Sequence, residues 1–226
     1  MQNNQNVKVF RLVESGLLIA LGIILDTFFR FEAPWAYGGS ITLFSMLPLV
    51  IIAYKYGVLW GSLGGIAHGL ITMLISGFRA GGLAVMVQDN GGWKIFIFIM
   101  LLDYILAFMA IGLAGFAPKF MKSTAGALGV GAAIGLFGRY IVHVVSGYIF
   151  FGSYAEWFFG QSTWGQAILE KLNGNLLSIV YSTIYNGLYM IPEIILTAAA
   201  GVVVGKFLKK QINHNKPNLT TGESVK

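Results

Sequence analysis

Long apolar runs alternate with short polar breaks along the whole chain. Six runs reach or approach the roughly 20 residues that carry a helix across a bilayer. They cover residues 10–29, 41–55, 57–77, 95–116, 125–151 and 176–205. This pattern predicts an all-α membrane protein of six transmembrane helices, one domain over residues 1–210 with no soluble lobe. The second run is short and meets the third at "AYKYG", which predicts a tight hairpin between them. The polar segment 211–226, "QINHNKPNLTTGESVK", reads as a disordered tail.

Composition agrees with the pattern. The chain is 56 % hydrophobic and 11 % charged, with a mean hydropathy of +0.73, whereas soluble domains carry about 25 % charged residues. Six spans put both termini on one side. That side holds Lys8, Arg11, Lys55, Lys119, Lys122, Lys206, Lys209, Lys210, Lys216 and Lys226; the other holds Arg30, Arg79, Lys94 and Lys171. The positive-inside rule therefore places both termini in the cytoplasm and the chain in the cell membrane. The same rule accounts for the net charge of +6, so no nucleic-acid partner is expected. The first run contains Asp26 and lacks a small-x-small cleavage site, which argues against a cleaved signal peptide. With no cysteine, the chain has no disulfide, thiolate metal site or cysteine nucleophile.

Small residues mark the packing faces. Gly57, Gly61, Gly65 and Gly69 recur every four residues in the third run and make a ridge that admits another helix. Gly16 and Ala20 repeat the spacing in the first run, for internal packing or for a separate membrane subunit. The loops on the outer side, "RFEAPWAYGGS", "GFRAGGLAVMVQDNGGW" and "GSYAEWFFGQSTWGQAILEKLNGN", are long and rich in aromatic residues and glycine. Their tryptophans suit either interfacial anchors or a lid over an outward-facing pocket.

Ionisable groups inside apolar runs are candidate functional sites. Here they are Asp26, His68, Asp103, Arg139, His143 and Glu193. Arg139, His143 and Gly147 form one stripe at i, i+4, i+8. In the sixth run Ser182, Asn186, Tyr189 and Glu193 share a face, with Tyr181 and Tyr185 on a neighbouring one. An Asp103–Arg139 ion pair, with His143 on a backbone carbonyl, would satisfy these groups without any ligand. His68 lies on the glycine-ridge face and is equally a packing residue. A carboxylate, a histidine, an asparagine and many rings suit a small, flat, partly cationic heterocycle. No ring of like charges suggests an ion channel. No G-x-S-x-G, H-E-x-x-H or paired acid motif is present, and "GVVVGKF" is one residue short of a phosphate loop. The expectation is a chain that is not an enzyme and takes no cofactor or metal. An embedded enzyme or a proton-coupled carrier using Asp103 and His143 remains the alternative class.

Four stretches together carry a family resemblance: "GGSITLFSMLPLVIIAYKYG", "LLDYILAFMAIGLAG", "GRYIVHVVSGYIFFGSYA" and "YSTIYNGLYMIP". In this order they resemble the thiamine-specific S-components, the substrate-binding membrane subunits of energy-coupling-factor vitamin transporters. The resemblance runs through nearly all six spans. It implies a six-helix bundle with a thiamine site near the outer face. It also implies a cytoplasmic-side partnership with a transmembrane coupling subunit and two ATPase subunits, docked through Gly16 and Ala20. Carried over residue by residue, the site comprises Asp103 with Tyr104, His143, Tyr181, Asn186 and Trp93, with Arg139 in support, orienting Asp103. Gly39 and His68 stand where some relatives have tryptophan, and Phe151 replaces another; Trp35 would fill in for Gly39. The substrate-binding expectation thus also includes Phe151, Trp35 and His68. These departures leave a thiamine precursor or another vitamin as the alternative ligand. The segment from Glu156 to about Asn175 is longer than in relatives.

Overall fold

The computed structural model describes residues 2–32, 40–89 and 91–214. Helix α1 (Gln2–Phe28) leads into strand β1 (Arg30–Glu32), which pairs antiparallel with β2 (Ser40–Thr42), Arg30 opposite Thr42. There follow α2 (Leu47–Tyr56), α3 (Val58–Arg79), α4 (Leu83–Asp89), α5 (Trp93–Lys119) and α6 (Thr124–Phe151). A 3₁₀ turn, Gly152–Tyr154, joins α6 to α7 (Ala155–Gly160); α8 (Thr163–Leu169), α9 (Gly174–Phe207) and α10 (Lys209–Asn213) complete the chain.

Among the described residues, four stretches are long and apolar enough to cross a membrane: α3, α5, α6 with α7, and α9. Helix α1 is also long, but Arg11, Glu14 and Asp26 interrupt its apolar sequence. The second expected span departs most from its reading. Its start is strand β2, and its helix α2 has only 10 residues, a rise of about 15 Å, half of a bilayer core. Nine of those residues are buried. A continuous apolar run describes a buried core helix as well as a spanning one; α2 is buried and too short to span a bilayer by itself.

Helix α2 sits inside the bundle, packed by α1, α3, the second half of α5 and α6. The expected hairpin to α3 turns on Gly57, at φ +87°, a conformation that disfavours any side chain. The glycine ridge of α3 packs internally. A Cβ at Gly61 would lie 2.5 Å from that of Ala53, and one at Gly65 2.1 Å from the Phe108 carbonyl oxygen.

Lys55 is fully buried at the end of α2. Its ammonium donates to Glu14 at 2.6 Å and to the His214 carbonyl at 3.0 Å, while the Tyr56 hydroxyl donates to the same Glu14. This cluster ties α1 and α2 to the segment after α9. Ile212 is buried, and Asn213 donates to the Thr124 hydroxyl at 3.0 Å. The packed chain therefore runs past the boundary expected at residue 210; residues 215–226 of the expected tail lie outside the described residues. At the other end, segments read as long loops contain the short helices α4, α7 and α8.

Candidate functional site

A cavity of about 670 Å³ opens at the end of the bundle that carries β1–β2, α4 and α7. That volume lies in the range of small-molecule sites. Its walls come from α1, α3, α5, α6 and α9.

Asp103 and Tyr104 enter it from a π-helical turn, Met100–Leu106, in the middle of α5. Such turns re-aim side chains and recur at functional sites. His143 Nδ1 lies 2.8 Å from Asp103 Oδ1, and the Ser146 hydroxyl donates to Oδ2 at 2.8 Å. An ionised carboxylate only accepts, so Nδ1 carries the hydrogen. Among the described residues, Nε2 of His143 is then left buried without a partner, as are Thr72 Oγ1 and Arg139 Nε on other lining residues. Buried polar atoms of this kind are uncommon and fit a site that a polar ligand completes.

The π turn has room because α3 has no side chain at Gly69. A Cβ there would lie 1.9 Å from the Tyr104 carbonyl oxygen. We expect Gly69→Ala to displace the turn and weaken ligand binding tenfold or more, since overpacking costs about 1–3 kcal/mol. Gly64→Ala, where a Cβ meets only side chains at 3.5 Å or beyond, should leave binding within a factor of two. Calorimetric titration of both variants checks this.

A second polar cluster corrects the role assigned to Arg139. Its guanidinium pairs with Glu193 of α9 at 3.4 Å, not with Asp103, and stands 4.5 Å over the Phe108 ring. Glu193 also accepts from the Thr42 hydroxyl of β2. At the mouth, Arg30 grips Asp26 with bonds of 3.0 and 3.1 Å. Four carboxylates line the cavity against two arginines. Asp26 and Glu193 are each held by an arginine, and Asp89 is exposed. Asp103, held by a histidine and a hydroxyl, is the inner carboxylate whose charge is left for a ligand.

The expected site residues divide accordingly. Asp103, Tyr104, Arg139, His143, Phe151, Tyr181 and Asn186 all line the cavity. The Asn186 amide is largely engaged: Nδ2 donates to the Ser182 carbonyl at 2.8 Å and the His143 carbonyl at 3.3 Å, and Oδ1 accepts from Tyr189. One lone pair of Oδ1 remains for a ligand. Trp93 is not in the wall. It is 60 % exposed and packs edge-on against Phe96; ten residues before Asp103, it stands about 15 Å along the helix. His68 is fully buried behind the wall, its ring 5.2 Å from that of Phe108. Trp35 and Gly39 lie outside the described residues. The structure adds Ser146, one turn from His143, together with Thr42, Tyr154 and Trp157. Glu193, Tyr185 and Tyr189, which the sequence reading noted without choosing, also belong to the site.

Comparison with known proteins gives one family. Residues 12–213 match the family described as Thiamine transporter protein (Thia_YuaJ). "Thiamine transporter ThiT" of Bacillus subtilis (strain 168) is 33% identical over 204 residues, 86% of this chain and 90% of that protein. The protein of the same name from Lacticaseibacillus paracasei is 24% identical over 172 residues, 72% of this chain and 76% of that one. Among solved structures, ThiT from Listeria monocytogenes superposes with a TM-score of 0.62 at 19% identity, covering 91% of this chain and 98% of that one. It shares the fold.

Proposed function

Because this chain belongs to the thiamine transporter protein family, we propose that it binds thiamine in the Asp103 cavity. We further propose that it does so as the S-component of an energy-coupling-factor importer. The observation that carries the reading is the state of Asp103. It is a part-buried carboxylate with no arginine or lysine on it among the described residues, in a cavity where acids outnumber bases and tyrosines supply ring faces. Thiamine is a cation built of two flat heterocycles, and carboxylate plus aromatic rings is the chemistry that holds one. Asp103 takes the positive or amino-bearing part. His143 offers Nε2, Asn186 its free lone pair, and Tyr181 a ring. Arg139 is neutralised by Glu193, so it does not repel the cation.

The finer architecture in this reading is the six-helix S-component bundle in the cell membrane, with α1 and α2 counted among its membrane segments. The basic residues at the end of both termini favour a cytoplasmic placement for it. The cavity then faces outward, and an ATP-driven module of one coupling subunit and two ATPases delivers the vitamin. Gly16 and Ala20 are exposed on α1, and a Cβ at Gly16 would meet nothing within 4 Å. That open face suits close docking of the coupling subunit.

Uptake of labelled thiamine by proteoliposomes tests the reading. Transport should require the coupling module and ATP. Gly16→Trp should abolish transport while thiamine affinity in detergent stays within a factor of two. Uptake by the chain alone, driven by a proton gradient, would contradict the proposal.

A further inference from the structure

The segment after α6 builds part of the cavity wall. Phe151, Tyr154 and Trp157 all line it, from the end of α6, the 3₁₀ turn and α7. Their spacing is three residues each. In a 3₁₀ turn residues i and i+3 stand one above the other, so the turn at Gly152–Tyr154 brings the Phe151 and Tyr154 rings to one side, and Trp157 follows three residues on in α7. The Phe151 and Tyr154 rings are 6.5 Å apart and tilted by 36°.

The residue after Trp157 anchors this segment. Phe158 is 1 % exposed, and its ring packs edge-on against Tyr181 at 5.4 Å and Tyr185 at 5.8 Å. Phe159, fully buried, packs on Trp164 at 5.9 Å. With Phe158 and Phe159 turned inward, Trp157 stands at the mouth, 52 % exposed yet part of the lining. Trp164 is also half-exposed but is not in the wall. Indole is the strongest of the aromatic partners for a cation, and a half-exposed indole at a mouth has surface for a ligand to cover.

We infer that Trp157 is a specificity-determining residue, the ring that closes against the bound aromatic cation in the wall it shares with Phe151 and Tyr154. The inference rests on the thiamine reading above. It assigns the stacking role to α7 and not to Trp93.

Two variants of the full chain in detergent test it, each titrated with thiamine by calorimetry and by tryptophan fluorescence. Trp157→Ala should weaken binding tenfold or more, at an unchanged melting temperature. Trp157→Phe should keep affinity within threefold of wild type but lose most of the ligand-induced quenching, a signature that a purely structural role would not produce. Wild-type affinity in Trp157→Ala, or undiminished quenching in Trp157→Phe, overturns the inference and leaves the thiamine reading standing. No calorimetric binding by the wild-type chain overturns both.

Discussion

Asp103→Asn is expected to weaken thiamine binding by roughly 30-fold or more without lowering the melting temperature appreciably. The variant keeps the shape of the side chain and an oxygen to accept from His143 or Ser146, which now lie at 2.8 Å. What it removes is the negative charge facing the ligand. Losing one partner of a desolvated charge pair costs about 2–5 kcal/mol, and about 1.4 kcal/mol is tenfold. The effect should fall on affinity alone, because among the described residues no arginine or lysine pairs with Asp103. Arg139→Lys should weaken binding far less, since Arg139 answers Glu193 and not the ligand. Calorimetry on the two variants decides: equal losses would mean that the charge on Asp103 is not the contact.

The second large effect is on stability. Glu193 is 2 % exposed and Arg139 12 % by side chain, and they pair at 3.4 Å. Glu193→Gln leaves the guanidinium buried without its counter-charge. Breaking a buried pair in this way costs about 3–5 kcal/mol, so the melting temperature should fall by on the order of 10 °C. The double variant Glu193→Leu with Arg139→Met should recover much of the loss, because an apolar replacement of a buried pair is often near neutral. If Glu193→Gln melts like wild type, the pair contributes nothing to the fold. Thiamine binding by the double variant carries a second consequence: with both charges gone, affinity should stay close to wild type, as the pair neutralises itself.

The groups around Asp103 were legible because polar residues inside apolar runs are expensive and therefore informative. That argument led to Asp26, His68, Asp103, Arg139, His143 and Glu193, and all but His68 line one cavity; Tyr181 and Asn186, which line it too, came from the family resemblance. It could not choose partners. Arg139 faces two acids across the bundle, Asp103 on α5 and Glu193 on α9, and only the relative registers of three helices decide between them. Trp93 failed for a geometric reason: an offset of ten residues, read along a helix, is a long distance from the acid. Ser146 and Thr42 gave no signal, since isolated hydroxyls are common in membrane helices and satisfy themselves on backbone carbonyls. The short α2 was hidden by its own apolarity. A buried helix and a spanning helix read alike until Leu47, Pro48 and their neighbours are seen inside the core. The sequence reading chose Phe151 but not Tyr154 or Trp157, which follow at intervals of three and line the same cavity.

The central claim is that this cavity takes thiamine. Tryptophan fluorescence of the purified chain in detergent, titrated with thiamine, tests it most directly. Saturable quenching at submicromolar thiamine, absent in Asp103→Asn, is the predicted result. No response at high thiamine from a protein shown to be folded would contradict the account.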